Sequence, residues 1–188
     1  TSINFSSYDY ASWTFRKAEK FFDVVTYTGN GVAGRTVSHN LGTTVGMLII
    51  KGISNPSDWS VFHRSVGNDK YLAINETSSA QTDTTRFHST TPSSTTFTLG
   101  SGNAVNGSGR TYVAYLFAHN DSGDGEFGPD SDQDIIKCDT YTGNGSSTGT
   151  VVPLGFEPQF IMLKKTNASQ NANWYVFDTM RGIVTGRA

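Results

Sequence analysis

Between positions 121 and 134 the chain reads DSGDGEFGPDSDQD, with six acids, three glycines, one proline and no Lys or Arg. Asp121, Asp124 and Glu126 are interleaved with Gly123 and Gly125, while Asp130, Asp132 and Asp134 alternate with other residues. Calcium takes roughly six to eight oxygen ligands, and carboxylates spaced along a glycine-rich loop can converge on one ion. The EF-hand order, with its closing Glu, is not met. The segment therefore has two readings, a calcium loop and a solvated acidic linker.

Other chemistry finds less support. His39, His63, His88 and His119 are far apart and form no zinc-like pair, and Cys138 is the single cysteine, so neither a thiolate metal site nor an internal disulfide is expected. His39 lies in the turn SHNLG and His63 follows Val-Phe, and both read as surface or turn residues. The serines never stand in G-x-S-x-G, and Gly29-Asn30-Gly31 lacks the lysine and helix of a phosphate cradle. With no nucleophile–base pair in view, no enzymatic activity and no organic cofactor are expected. Asn-x-Ser/Thr triplets occur at Asn4, Asn75, Asn106, Asn120, Asn144 and Asn167. They would accept glycans in a secreted eukaryotic chain, but arise as readily from a composition rich in Asn, Ser and Thr.

The composition narrows the partners and the architecture. Charged residues make up 16% of the 188, and the net charge is −2, so no basic patch awaits nucleic acid. No apolar run is long enough for a membrane span, and TSINFSSYDY has neither the basic nor the apolar region of a signal peptide. A hydrophobic fraction of 36%, 12% aromatics and 20 glycines fit an all-β chain with many turns.

The elements repeat. YTGNG occurs at Tyr27 and again at Tyr141, 114 positions on (141 minus 27). After each copy come matching blocks: Leu41-Gly42 with Leu154-Gly155, Met47 to Lys51 with Phe160 to Lys164, and Trp59 to Phe62 with Trp174 to Phe177. Blocks in one order with small indels between them are what a structural repeat leaves. Before each copy, Tyr10, Trp13 and Phe15 match Tyr112, Tyr115 and Phe117. The reading divides the chain into residues 1–20, the last strand of a preceding unit; 21–120, a complete unit; 121–134, the acidic linker; and 135–188, the first part of a second unit. It predicts a window on a longer tandem array. A stand-alone protein with an imperfect duplication is the alternative.

Strands are expected at 24–27, 47–50, 59–63, 71–75, 86–88, 96–99 and 112–117, with Asn30-Gly31 forming a two-residue hairpin turn. Such short antiparallel strands predict a β-sandwich, jelly-roll-like in plan, repeated in tandem. Trp59, Trp174, Tyr10, Trp13 and Phe15, with their counterparts, are expected in the core rather than at a sugar site.

The long blocks YASWTFRKAEKFFDVVTYTGNG, SHNLG, DWSVFHRS, KYLAINET, TPSSTTFTLG, GRTYVAYLFAHND and FGPDSDQDIIKC resemble the repeat domain of tail-fibre and other virion structural proteins of marine tailed phages, notably cyanophages. The resemblance covers nearly the whole chain. It implies a non-enzymatic, modular polypeptide of the virion, extracellular, acting in appendage assembly and host attachment. The expected partners are other copies, with a trimer as the expected oligomer, other virion proteins and a host-surface glycan. A carbohydrate-binding module and a subunit of a non-phage extracellular filament are the alternatives.

Overall fold

The computed structural model describes residues 4–120, 127, 130, 132–167 and 172–182. The elements follow in chain order: β1 (Phe22–Thr28), β2 (Arg35–Ser38), β3 (Val45–Gly52), β4 (Ser60–His63), β5 (Lys70–Ala73), β6 (Gln81–Thr82), α1 (Thr84–Phe87), β7 (Thr96–Leu99), α2 (Asn103–Asn106), β8 (Thr111–Ala118), β9 (Phe160–Lys164) and β10 (Trp174–Asp178). The fold is all-β and antiparallel, a sandwich-like arrangement. One sheet has the order β1-β8-β3-β4-β5-β6, β2 pairs with β7, and β10 pairs with β9.

Side-chain alternation builds the core. In β8, Tyr112, Ala114, Leu116 and Ala118 point inward and are buried, while the intervening residues reach the outer face. The unbroken apolar run of β3 is covered on both sides: Leu48 and Ile50 enter the main core, and Ile49 enters an outer cluster with Val61 and Leu72. The main core lies between the large sheet and a layer made by β2, β7 and the two helical turns, which contributes Val37, Phe87, Phe97, Leu99 and Val105. Burying Phe87 and Phe97 is worth about 2–3 kcal/mol each.

Four local expectations are corrected. Residues 86–88 are not a strand. Asp83 accepts from the Thr85 amide at 2.9 Å and caps a helical turn, which drives Phe87 against Phe62 at 5.8 Å. β2 and β6 were not anticipated, being short and polar. Asn30-Gly31 does not close a hairpin. The loop carries the chain from β1 to β2, which lie in different sheets, and only Gly31 of the pair takes positive φ, at 72°. Gly29, Gly31 and Gly34 therefore lead into a strand, not the helix of a nucleotide-binding turn. Finally, residues 8–17 form no strand. Tyr10, Trp13 and Phe15 are exposed rather than core, because a strand needs a ladder partner, and the first backbone pairing in this region is Ala18 with Phe22.

Candidate functional site

The acidic segment was the leading candidate for a metal. Asp121, Asp124 and Glu126 lie outside the described residues. Asp130 and Asp132 are exposed, whereas Asp134 is half-buried, with its Oδ1 enclosed and without a hydrogen-bond partner. Among the described residues, no three His, Cys, Asp or Glu side chains converge on one point. Asn106 and Asn120 are buried, so glycan attachment does not account for their triplets.

Cys138 and Asp139 meet residues that sequence spacing did not connect to them. The Cys138 amide donates to His119 Nδ1 at 3.2 Å, the Cys138 thiol contacts the Ala118 carbonyl at 3.5 Å, and the Arg64 guanidinium lies 3.0 Å from His119 Nε2. Ser65 Oγ donates to Asp139 at 3.3 Å. Gly46 permits this approach, since a Cβ there would sit 2.7 Å from Cys138 Cβ. Burial pushes the Cys138 thiol up to about 12, so it is neutral and not a ready nucleophile. Burial likewise depresses the His63 imidazole, against the pull of Asp139. The cluster ties residues 136–139 to the end of the sandwich. His39, expected at the surface or in a turn, lies in its turn but is buried there, stacked on Phe97, with Nδ1 accepting from the Leu41 amide.

A second contact covers the outer face of the large sheet. Trp174 packs against the cluster of Ile49, Val61 and Leu72, and its Nε1 donates to the Ala73 carbonyl at 2.8 Å. Trp59, half-buried in the same cluster, stacks on Tyr115. Trp13 and Phe15 each meet Phe160 at 6.1 Å, and Trp13 Nε1 donates to Asp178, which also accepts from Arg181 Nε at 2.7 Å. The depressions beside Phe5, Tyr8, Asp9 and Tyr10, and beside Val176, Phe177, Asp178, Arg181 and Gly182, are open to solvent.

The two matched stretches agree in backbone as well as in letters. β3 and β4 pair Met47 with His63, Leu48 with Phe62, Ile49 with Val61 and Ile50 with Ser60. β9 and β10 pair Phe160 with Asp178, Ile161 with Phe177, Met162 with Val176 and Leu163 with Tyr175, the same register at matched positions. Lys51 lies 5.9 Å from the Trp59 ring centroid, and Lys164 lies 5.9 Å from that of Trp174. Positive-φ glycines recur too: Gly31 (72°) with Gly145 (72°), Gly34 (83°) with Gly149 (70°), Gly42 (75°) with Gly155 (85°), and Gly67 (112°) with Gly182 (112°). In both YTGNG copies the Asn side chain accepts from the amide two residues on, at 2.9 Å.

Their surroundings differ. The first copy is clamped by the turn after α2: Asn30 donates to Asn106 Oδ1 at 3.0 Å, Gly31 to the Asn106 carbonyl at 2.7 Å, and Gly29 to the Arg110 carbonyl at 2.7 Å. Asn106 Nδ2 donates in turn to the carbonyls of Val32 and Gly100. Around Gly143, Gly145 and Gly149, by contrast, a Cβ would meet nothing within 4 Å. No curated protein and no solved structure matches the chain. A family model does match it over residues 1–186, and the chain belongs to that family, the domain of unknown function DUF7483.

Proposed function

We propose that the chain is a structural and adhesive repeat of a phage tail fibre or another virion appendage, non-enzymatic and working as an assembled oligomer. The observation that carries this reading is the second hairpin. It repeats the register of β3 with β4, yet lies with Trp174 on the outer face of the first sandwich. Units that stack through an outer sheet face build a rigid column rather than frame a cleft. The likeness of its sequence blocks to tail-fibre repeats supplies the virion context. Self-association as a trimer is the form expected of such a fibre. Gold-labelled antibody against this chain tests the reading on intact particles by electron microscopy. Label along a fibre or appendage is expected. Label confined to infected-cell lysate, with none on particles, refutes it.

One observation favours a carbohydrate-binding module instead. Phe5, Tyr8 and Tyr10 surround Asp9 in an open depression, and aromatic faces beside a carboxylate suit a sugar ring. A glycan array separates the readings: binding abolished by Tyr8→Ala and Tyr10→Ala would favour the module.

A further inference from the structure

We propose that residues 135–167 and 172–182 form an acceptor for a polypeptide segment of the α2–β8 type: one helical turn ending in Asn-Gly, followed by a strand with Tyr, Ala, Leu and Ala on one face and Val, Tyr and Phe on the other. The inference rests on the repeat reading given above and names the partner of the second unit.

Three observations place the acceptor. In the sandwich, β3 lies between β4 and β8. β9 has β10 in the place of β4 and, among the described residues, no strand on its other edge. An open edge offers unpaired amides and carbonyls to an incoming strand. Next, the hairpin face that corresponds to the sandwich interior is bare. Tyr175 and Phe177 are 53% and 46% exposed, whereas the matched Ser60 and Phe62 are 0% and 1% exposed. Finally, the second YTGNG keeps the conformation of the first without its clamp, with open space around Gly143 and Gly145. Open edge, bare face and unclamped loop are the three places that β8, the main core and Asn106 fill in the first unit.

The register follows by translation. β8 sets Phe117 opposite Met47, Tyr115 opposite Ile49 and Ala114 opposite Ile50. The incoming strand then sets its Phe opposite Phe160, its Tyr opposite Met162 and its Ala opposite Leu163, while its Asn reaches the amides of Asn144 and Gly145. Residues 8–17 carry a similar aromatic spacing but lack the Asn-Gly turn. Their Trp13 is engaged with Asp178, their Phe15 with Phe22 and Phe117, and both touch β9 only through the Phe160 ring, with no backbone pairing to its edge among the described residues. The α2–β8 type therefore fits better than the same segment of a second copy.

The test adds a synthetic peptide of residues 100–118 to the full chain and follows amide hydrogen exchange and chemical shifts. Saturable binding is expected, with new protection at residues 160–164, shifts at Asn144 and Gly145, and no change in the β1 amides, whose β8 partner is already in place. Asn106→Ala in the peptide should weaken binding roughly tenfold, the effect of losing about one or two hydrogen bonds. A scrambled peptide should protect nothing. No protection at 160–164, or equal protection by the scrambled peptide, overturns the proposal. So does protection of 160–164 through self-association of the chain alone, which assigns the edge to a second copy. If the β9–β10 ladder is itself unprotected, the repeat reading falls. If the ladder is intact and the peptide is ignored, only the docking falls.

Discussion

Gly29 and Gly143 occupy the same position in the two YTGNG copies, and the structure predicts opposite responses to alanine. A Cβ on Gly29 would overlap the Gly107 carbonyl oxygen and lie 2.8 Å from the Asn106 carbonyl carbon. These are backbone atoms, so the loop itself must move. Movement strains the bonds from Gly29 to Arg110, from Gly31 to Asn106, and from Gly109 to Gly29. Overpacking of this kind costs about 1–3 kcal/mol, and each disrupted bond adds about 1 kcal/mol. Gly29→Ala should therefore destabilise the sandwich by roughly 3 kcal/mol. Gly143→Ala meets nothing within 4 Å and has no positive φ, so it should be neutral or stabilise by up to about 1 kcal/mol through the unfolded chain. Urea denaturation followed by far-ultraviolet circular dichroism reads both. Equal effects of the two substitutions, or a Gly29→Ala loss below about 0.5 kcal/mol, would refute the clamp and the open slot together.

Trp174→Ala removes the indole from the outer cluster and its bond to Ala73. It should release β9 and β10 from the sandwich, raising their exchange rates at least tenfold while leaving β3 and β8 protected. Cys138, buried and with its thiol pushed up to about 12, should react with a thiol reagent at pH 8 at least 100-fold more slowly than in urea-unfolded chain. Urea midpoints measured from pH 7 downward should fall in two stages. Burial holds the His39 and His63 imidazoles below their ordinary 6.5, so the unfolded chain takes up protons first and stability drops below about that pH. For Asp23, burial acts to raise the carboxyl, but Lys17 at 2.5 Å and the amides of Asn40 and Val24 outweigh it and hold it below its ordinary 3.8. Its contribution, present above that value, is lost as pH falls through the lower folded one, and rising midpoints on acidification would contradict both stages.

Much of the fold was legible because its signals are local. The apolar run at 47–50, the alternation at 112–117 and the aromatic strand at 59–63 each dictate their own burial. Residues 86–88 misled because Arg-Phe-His fits a strand or a turn equally, and Asp83, three residues upstream of Arg86, decides in favour of the turn. Tyr10, Trp13 and Phe15 have a strand's spacing without a strand's partner, which no local pattern reveals. The junction of Arg64, His119 and Cys138 was illegible for a different reason. It depends on the close approach of residues 136–139 to β3 and β8 and on the missing Cβ of Gly46, not on spacing. The clamp by Asn106 was hidden as well, since its triplet with Gly107 and Ser108 reads as a glycan acceptor.

The account stands on the claim that one backbone plan recurs between the stretch that begins at Tyr27 and the stretch that begins at Tyr141. Carbon-13 chemical shifts of the assigned chain in solution test it glycine by glycine. The account predicts positive φ at Gly31, Gly34, Gly42 and Gly67 and, pair for pair, at Gly145, Gly149, Gly155 and Gly182. Random-coil shifts at the second four, with ordered shifts at the first, would contradict it.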